Sequence, residues 1–215
     1  MINCEDCSCD HIDGETDGHQ QYPAVMILLV IGGVAGTGKS VLATRLAREL
    51  TIPRLNSDVI GGTIRNSLGT ALEAGKAFSA GYAVLFTLAE EFLTAGSSVI
   101  IDTNMGWEFQ WQHVDGIASR HPEVDTVPIV LRCPREICLE RIATRHDVDP
   151  DQASVEQMLR LPHFARIWTY LEDLNRPDVH IIDASGNPDQ TYAAAMQHIK
   201  PALARRGGES SAPPG

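Results

Sequence analysis

The feature that most constrains this chain is a glycine-rich octapeptide that fits the pattern G-x-x-x-x-G-K-[ST]. It follows the apolar run 24–31 and precedes an amphipathic segment over 41–50, which predicts the order strand, loop, helix. Glycines let successive backbone N–H groups point at an anion, and a helix N-terminus adds positive potential. The pattern therefore predicts a nucleoside triphosphate site, whose binding residues are Gly33, Val34, Ala35, Gly36, Thr37, Gly38, Lys39, Ser40 and Val41.

Two side chains of this loop have predicted chemical roles. Lys39 can reach the β- and γ-phosphates, and the Ser40 hydroxyl can ligate Mg²⁺. ATP and Mg²⁺ are therefore the expected cofactors.

The charge of the chain argues against a protein that holds long polyanions. The net charge of the 215 residues is −11. It is unevenly distributed, because residues 1–22 hold six of the 28 acidic residues and no Lys or Arg. A local basic channel elsewhere stays open as an alternative.

Both ends of the chain are expected to lie outside the folded domain, which we place at 23–204. Residues 1–22 are interpreted as a disordered acidic leader, and 205–215 as a disordered Gly/Ser/Pro-rich tail. A metal cluster in the leader is an open alternative, with Cys4, Cys7, Cys9 and His11 as its ligands. The apolar run 24–31 is too short to span a membrane, and no signal peptide is recognisable. Five cysteines beside an ATP-type site indicate a reducing cytoplasm.

Strands alternate with helices along the domain. Predicted strands are 24–31, 53–58, 98–102, 125–132 and 179–183. Predicted helices are 41–50, 59–71 with an interruption at Gly61-Gly62, 81–95, 107–119, one that starts after Cys133-Pro134, one that ends near 174, and 189–203. A polar lid is expected at about 144–156. This spacing predicts an α/β fold with a five-stranded parallel sheet and helices on both faces.

Two carboxylates follow strands of this sheet. Asp58 ends the second strand and Asp102 the third. Because ligands of open parallel sheets bind beyond the carboxyl ends of the strands, both should lie near the phosphate loop. One carboxylate could hold Mg²⁺ and the other could take a proton from an acceptor hydroxyl. Each could instead be a helix cap or turn residue.

Two arginines precede the expected lid. Arg141 and Arg145 are four residues apart and so share a helix face, from which they could close over a transferring phosphoryl group. Residues 183–186 could wrap an adenine through backbone groups. Several aromatic residues and histidines are assigned to the core rather than to base stacking: Trp107, Trp111, His113, His163 and Trp168.

These motifs resemble those of the P-loop small kinases related to adenylate and gluconate kinases. The resemblance covers about 24–200, and its nearest likeness is the kinase domain of phage polynucleotide 5′-kinase, with the zeta-toxin-like kinases. It implies a three-layer fold with strand order 2-3-1-4-5 and a small helical lid. It implies catalytic roles for Lys39, for Asp58 as base and for Arg141 and Arg145, and metal binding by Ser40 and Asp102. Asp58, Arg65, Thr103 and Asn104 would bind the acceptor.

One departure bears on the acceptor. The polynucleotide kinases carry an arginine three residues after the catalytic Asp, whereas this chain has Gly61 there and its next arginine is Arg65. We therefore expect a small-molecule hydroxyl as acceptor. A polynucleotide or nucleoside 5′-hydroxyl kinase, and a nucleotide-dependent switch or NTPase without acceptor, are the alternatives.

Overall fold

The computed structural model of the chain describes residues 26–69, 74–149 and 152–208. The strands are β1 (Ile27–Gly32), β2 (Arg54–Asn56), β3 (Val99–Asp102), β4 (Asp125–Arg132) and β5 (His180–Asp183). The helices are α1 (Lys39–Leu50), α2 (Ser57–Leu68), α3 (Ala74–Thr94), α4 (Glu108–Arg120), α5 (Arg135–Val148), α6 (Val155–Arg160), α7 (Pro162–Glu172) and α8 (Pro188–Gly208).

The five strands form one parallel sheet in the order β2-β3-β1-β4-β5, which confirms the predicted fold class. β1 lies at the centre, and each of its residues is buried, as a strand covered by helices on both faces requires. In the register of the sheet, Ile31 pairs with Asp102, and Asn56 pairs with Asp102 from the other side. The end of β3 therefore lies between the start of α2 and the end of β1.

The predicted boundary between the second strand and its helix is wrong. β2 ends at Asn56, whose side-chain oxygen accepts a hydrogen bond from the Val59 N–H and caps α2. Asp58 therefore lies in the first turn of a helix and not at a strand tip. α2 also continues without a break through Gly61 and Gly62.

Other helix limits differ from the predicted ones. α3 begins at Ala74, well before the predicted start. The predicted helix that ends near 174 is two helices, α6 and α7, because Pro162 lacks an N–H and disfavours helical backbone at Leu161. α8 continues through Gly208 into the segment interpreted as a tail. The leader, with its candidate metal ligands, lies outside the described residues.

None of the helices in the described ranges is long and apolar enough to cross a membrane.

Candidate active site

The phosphate loop joins the centre of the sheet to α1. Its helix begins at Lys39, after Gly38 in the left-handed region at φ 90°, and no side chain caps it. The first N–H groups of α1 are therefore available to an anion. The loop is held from within by the Thr37 hydroxyl, which donates to the Val34 carbonyl at 2.8 Å. At the start of the loop, the Gly33 N–H donates a hydrogen bond to the carbonyl of Asn104, which follows β3, at 3.0 Å.

Gly36 shows why this loop needs glycine. Its φ is 86°, and a Cβ built on it would lie 2.4 Å from the Cys138 carbonyl oxygen in α5. Any side chain would therefore strain the backbone and push α5 away from the loop. α5 is the helix that carries Arg141 and Arg145.

A cavity of about 350 Å³ opens beside the phosphate loop, between α1, α5 and the connection from β5 to α8. It is lined by Gly36, Thr37, Gly38, Lys39, Ser40, Val41, Leu42, Arg45, Arg141, Arg145, Ala184, Gly186, Pro188, Thr191 and Tyr192. The loop after β5, which the sequence placed near a base, thus borders the same cavity as the phosphate loop.

Arg141 does not have the free guanidinium that its predicted catalytic role requires. Its Nη1 donates to the Ala184 carbonyl at 2.8 Å, and its Nη2 donates to the carbonyls of Ser185 and Gly186 at 3.1 and 2.9 Å. A longer contact, 3.5 Å, joins Nη1 to the Gly36 carbonyl. The side chain thus fastens the phosphate loop to the loop after β5. These contacts favour a role in positioning the two loops, and the catalytic role of Arg141 stays a prediction.

Arg145 is exposed and lines the cavity, and its guanidinium has no hydrogen-bond or ion-pair partner among the described residues. Lys39, in the same cavity, also has none within that part of the chain. These two cations can meet a polyphosphate without first breaking another interaction.

Asp102 is fully buried at the end of β3, and one of its two carboxylate oxygens is saturated. Oδ2 accepts hydrogen bonds from Arg54 Nε at 3.0 Å, from Arg54 Nη2 at 2.6 Å and from Asn56 Nδ2 at 2.7 Å. Oδ1 is also buried and has no partner among the described residues. A buried carboxylate oxygen without a hydrogen bond is costly, so Oδ1 is suited to accept a further partner such as a cation.

A magnesium ion fits that requirement. Its preferred ligands are oxygen atoms, and it is usually held by one or two carboxylates, water and substrate phosphates. Two oxygen donors are available: the orphaned Oδ1 of Asp102, and the hydroxyl of Ser40, which has no hydrogen-bond partner among the described residues. The donor set is therefore suited to Mg²⁺.

Asp58 projects from the first turn of α2 and is exposed. It lies close enough to Tyr82 of α3 to affect it: burial raises the pKa of Tyr82, and the negative charge of Asp58 raises it further. The Tyr82 hydroxyl accepts a hydrogen bond from Asn104 Nδ2 at 2.8 Å. Asp58, Tyr82 and Asn104 thus form a polar cluster beyond the ends of β2 and β3.

Thr103, the other residue predicted to bind the acceptor, lies on the buried side of this cluster, where its side chain hydrogen-bonds Tyr82. It is fully buried, and its hydroxyl accepts a hydrogen bond from Gln110 Nε2 at 3.2 Å. Gln110 in turn accepts from the Trp107 N–H at the start of α4. Thr103 therefore joins α4 to the buried side of the cluster, and acceptor binding by Thr103 stays a prediction.

Gly61, the position at which the polynucleotide kinases carry an arginine, lies in a close contact between α2 and α3. A Cβ on Gly81 of α3 would lie 2.9 Å from the Gly61 Cα, and a Cβ on Gly61 would lie 3.2 Å from the Phe78 ring. α2 and α3 approach so closely here that no long side chain can occupy this position. Arg65, further along α2, is exposed and has no partner among the described residues.

The core assignments of the aromatic residues are mostly confirmed. Trp111 is fully buried with its Nε1 donating to the Met105 carbonyl at 3.1 Å, and Trp168 is buried. Trp107 packs half-buried against the core, beneath the Arg166 guanidinium. His113 and His163 are exposed, so their assignment to the core was wrong.

The sequence interpretation missed three residues of the site: Arg54, Arg45 and Tyr192. Arg54 and Asn56 alternate on β2 and so point to the same side, which is a signal once β2 is paired with β3. The Arg45 guanidinium lies 3.8 Å from the centre of the Tyr192 ring in the wall of the cavity. No local pattern marks that pair, because α1 and α8 are far apart in the chain.

A phosphate loop at the centre of a 2-3-1-4-5 parallel sheet defines the class of the protein as a P-loop nucleotide-binding protein. Residues 28–162 match the AAA_33 family, described as an AAA domain, and the chain belongs to that family. A search of curated proteins found no match.

Solved structures share the fold at low identity. A Chloroflexus aurantiacus protein assigned as a kinase is 20% identical with a TM-score of 0.61, over 83% of this chain and 99% of that one. A gluconokinase from Sinorhizobium meliloti is 15% identical with a TM-score of 0.55, over 87% and 99%. A sugar kinase from a Janibacter species is 18% identical with a TM-score of 0.55, over 84% and 98%.

Proposed function

We propose that the protein is an ATP-dependent kinase that transfers the γ-phosphoryl group to a hydroxyl of a small molecule. The observation that carries this proposal is the position of Asp58, an exposed carboxylate that follows the strand next to Asp102 and the phosphate loop. A nucleotide site alone would serve a switch equally well. An acceptor hydroxyl needs a further carboxylate, and Asp58 has no ion-pair partner among the described residues.

The nucleotide half of the site has a role for each free cation. The backbone N–H groups of the loop and Lys39 hold the phosphates, and Arg145 neutralises charge that develops on the transferring group. Ser40 and Asp102 would hold Mg²⁺, which supplies charge neutralisation at the phosphate oxygens when bound. The end of α5 and the start of α6 fall within the lid predicted at about 144–156, which is the candidate segment for excluding water.

The acceptor half is assigned to the α2–α3 side. Asp58 accepts the proton of the acceptor hydroxyl, and Asn104, held by Tyr82 and the Gly106 N–H, borders the same cluster. Arg65 lies seven residues after Asp58, about 10 Å along the helix and on nearly the same face. We assign it to an anionic group of the acceptor.

Gly62 supports this use of the α2 surface. It lies between Asp58 and Arg65, and a Cβ built on it would meet nothing within 4 Å. Packing therefore does not explain a residue that costs about 1 kcal/mol relative to Ala inside a helix. An open strip between a carboxylate and a guanidinium suits a ligand that lies along the helix.

The fold relatives named as a gluconokinase and a sugar kinase also favour a small acceptor. The closed position at Gly61 and the net charge of −11 disfavour a polynucleotide.

The test is a transfer assay with γ-labelled ATP, Mg²⁺ and pools of sugars, nucleosides, antibiotics and 5′-hydroxyl oligonucleotides. With an acceptor in hand, Asp58→Asn should lower kcat by about 10²–10⁴, the usual contribution of a general base, and leave ATP affinity within about twofold. Asp173→Asn is the matched control, since Asp173 is exposed at the end of α7. ATP hydrolysis that needs no acceptor and is unchanged by Asp58→Asn would instead establish an NTPase.

A further inference from the structure

Arg54 is not one of the residues assigned above to nucleotide or acceptor binding. It forms the only ion pair of Asp102 among the described residues. Its side chain is one quarter exposed, whereas that of Asp102 is fully buried. Two of its nitrogens, Nε and Nη2, contact the same oxygen, Oδ2. The carboxylate is therefore held by one edge, with Asn56 as the third donor to that oxygen.

This geometry leaves one defined oxygen for a metal ion. A carboxylate can rotate about its Cβ–Cγ bond, and rotation would exchange the two oxygens. Three donors fixed on Oδ2 oppose that rotation, since charge-assisted bonds from a planar guanidinium are strong and directional. Oδ1 is thus kept free and buried.

The third nitrogen of Arg54 extends the arrangement to α1. Nη1 donates to the Thr44 hydroxyl at 2.9 Å, and that hydroxyl donates to the Ser40 carbonyl at 2.6 Å. Ser40 is the other candidate metal ligand. One guanidinium therefore ties the end of β3 to the first turn of α1, across residues more than 40 positions apart in the chain.

We propose that Arg54 is a positioning residue for the metal of this site. It fixes the orientation of Asp102 and its distance from Ser40, so that Oδ1 and the Ser40 hydroxyl are presented together to the Mg²⁺ that accompanies a nucleoside triphosphate. Its positive charge also compensates the buried carboxylate, which would otherwise lack a counter-ion until the metal arrives. This inference rests on the proposed function for the identity of the metal and nucleotide, but not on any acceptor.

The test measures Mg²⁺-dependent binding of a non-hydrolysable ATP analogue by calorimetry on the full chain, so a failure of the kinase assignment leaves its outcome unaffected. Two quantities are compared: the Mg²⁺ concentration at which analogue binding is half-maximal, which is the Mg²⁺ midpoint, and the affinity for the analogue in EDTA, where no free Mg²⁺ is present. Arg54→Gln should raise the midpoint by about tenfold or more while analogue affinity in EDTA stays within about twofold, because the loop itself is intact. Arg54→Lys, which keeps the charge and loses the fork, should give an intermediate midpoint.

Two further variants separate positioning from a general structural effect. In an Asp102→Asn background, Arg54→Gln should add less than about twofold, because both substitutions act through one carboxylate. Arg48→Gln is the matched control: Arg48 is exposed on α1 and has no partner among the described residues. Circular dichroism verifies folding, and Arg54→Lys carries the test if Arg54→Gln does not fold.

An unchanged or lower Mg²⁺ midpoint in a folded Arg54 variant would overturn the proposal. So would an equal loss of analogue affinity in EDTA, or a full additional effect in the Asp102→Asn background.

Discussion

Substitution of Gly81 by Ala should destabilise the protein although it replaces glycine in the middle of a helix. α2 and α3 meet at this point, and the new Cβ would lie 2.9 Å from the Gly61 Cα and 3.1 Å from its nitrogen. Carbon atoms pack at about 3.5–4.0 Å, so the helices must separate by about 0.6–1 Å. Both contacts are to backbone, which cannot rotate aside as a side chain can.

The expected magnitude is the difference of two terms. Overpacking a tight contact costs about 1–3 kcal/mol. Removing glycine from a helix interior gains about 0.5–1 kcal/mol. The net loss in free energy of unfolding is therefore about 0–2.5 kcal/mol with a midpoint of about 1.2 kcal/mol, and at that midpoint the Tm is lower by about 2–5 °C for a domain of this size.

Gly62→Ala is the matched control, because Gly62 lies in α2 with nothing within 4 Å of its Cβ. It should gain about 0.5–1 kcal/mol. Urea unfolding followed by circular dichroism measures both variants. A Gly81→Ala protein as stable as Gly62→Ala would refute the idea that a close helix approach excludes side chains here. Because α2 carries Asp58, Gly81→Ala should also lower kcat of the proposed transfer more than ATP affinity.

Three further outcomes follow from the described contacts. Arg141→Ala should raise the KM for ATP by about tenfold, since its hydrogen bonds shape the cavity, whereas Arg145→Ala should mainly lower kcat; steady-state kinetics that show the reverse would exchange their roles. Cys138 should react slowly with iodoacetamide at about pH 8 in the native state, because burial raises the pKa of its thiol to about 12, and rapid native-state labelling would contradict its burial. Burial and the stacked His198 lower the pKa of His180 in the folded protein. As the pH falls, His180 therefore binds a proton more readily in the unfolded chain, and the free energy of unfolding should decrease below about pH 6.5. Urea unfolding of His198→Gln should show a smaller decrease over the same pH range.

The nucleotide half of the site was largely predictable because its information is local. The phosphate loop and the strand and helix beside it occupy one continuous segment, and the pattern fixes their order. The parallel sheet was predicted from the alternation of strands and helices, and its strand order, which the resemblance to the P-loop small kinases implied, is confirmed. The location of Asp102 in the site was predicted from the rule that the carboxyl ends of parallel strands meet at one edge of the sheet, where ligands bind.

The errors arose where a tertiary contact decides the outcome. Gly61 and Gly62 were predicted to interrupt a helix. In the structure α2 continues through both residues, and α3 packs against Gly61. Arg141 and Arg145 were predicted as an equivalent pair on one helix face, but the loop after β5 binds the guanidinium of Arg141, whereas that of Arg145 has no partner in the described part of the chain.

The local sequence pattern was therefore enough to predict a P-loop α/β fold with a nucleotide site, since the glycine-rich turn, the helix start and the expected phosphate-binding groups all lie within about ten residues. Which charges are available to a ligand depends instead on tertiary contacts. Arg54 meets Asp102 across 48 positions of the chain, and Arg141 meets the loop after β5 across more than 40. A guanidinium has the same local pattern whether it is paired or not, so its role depends on the neighbours that the fold brings to it.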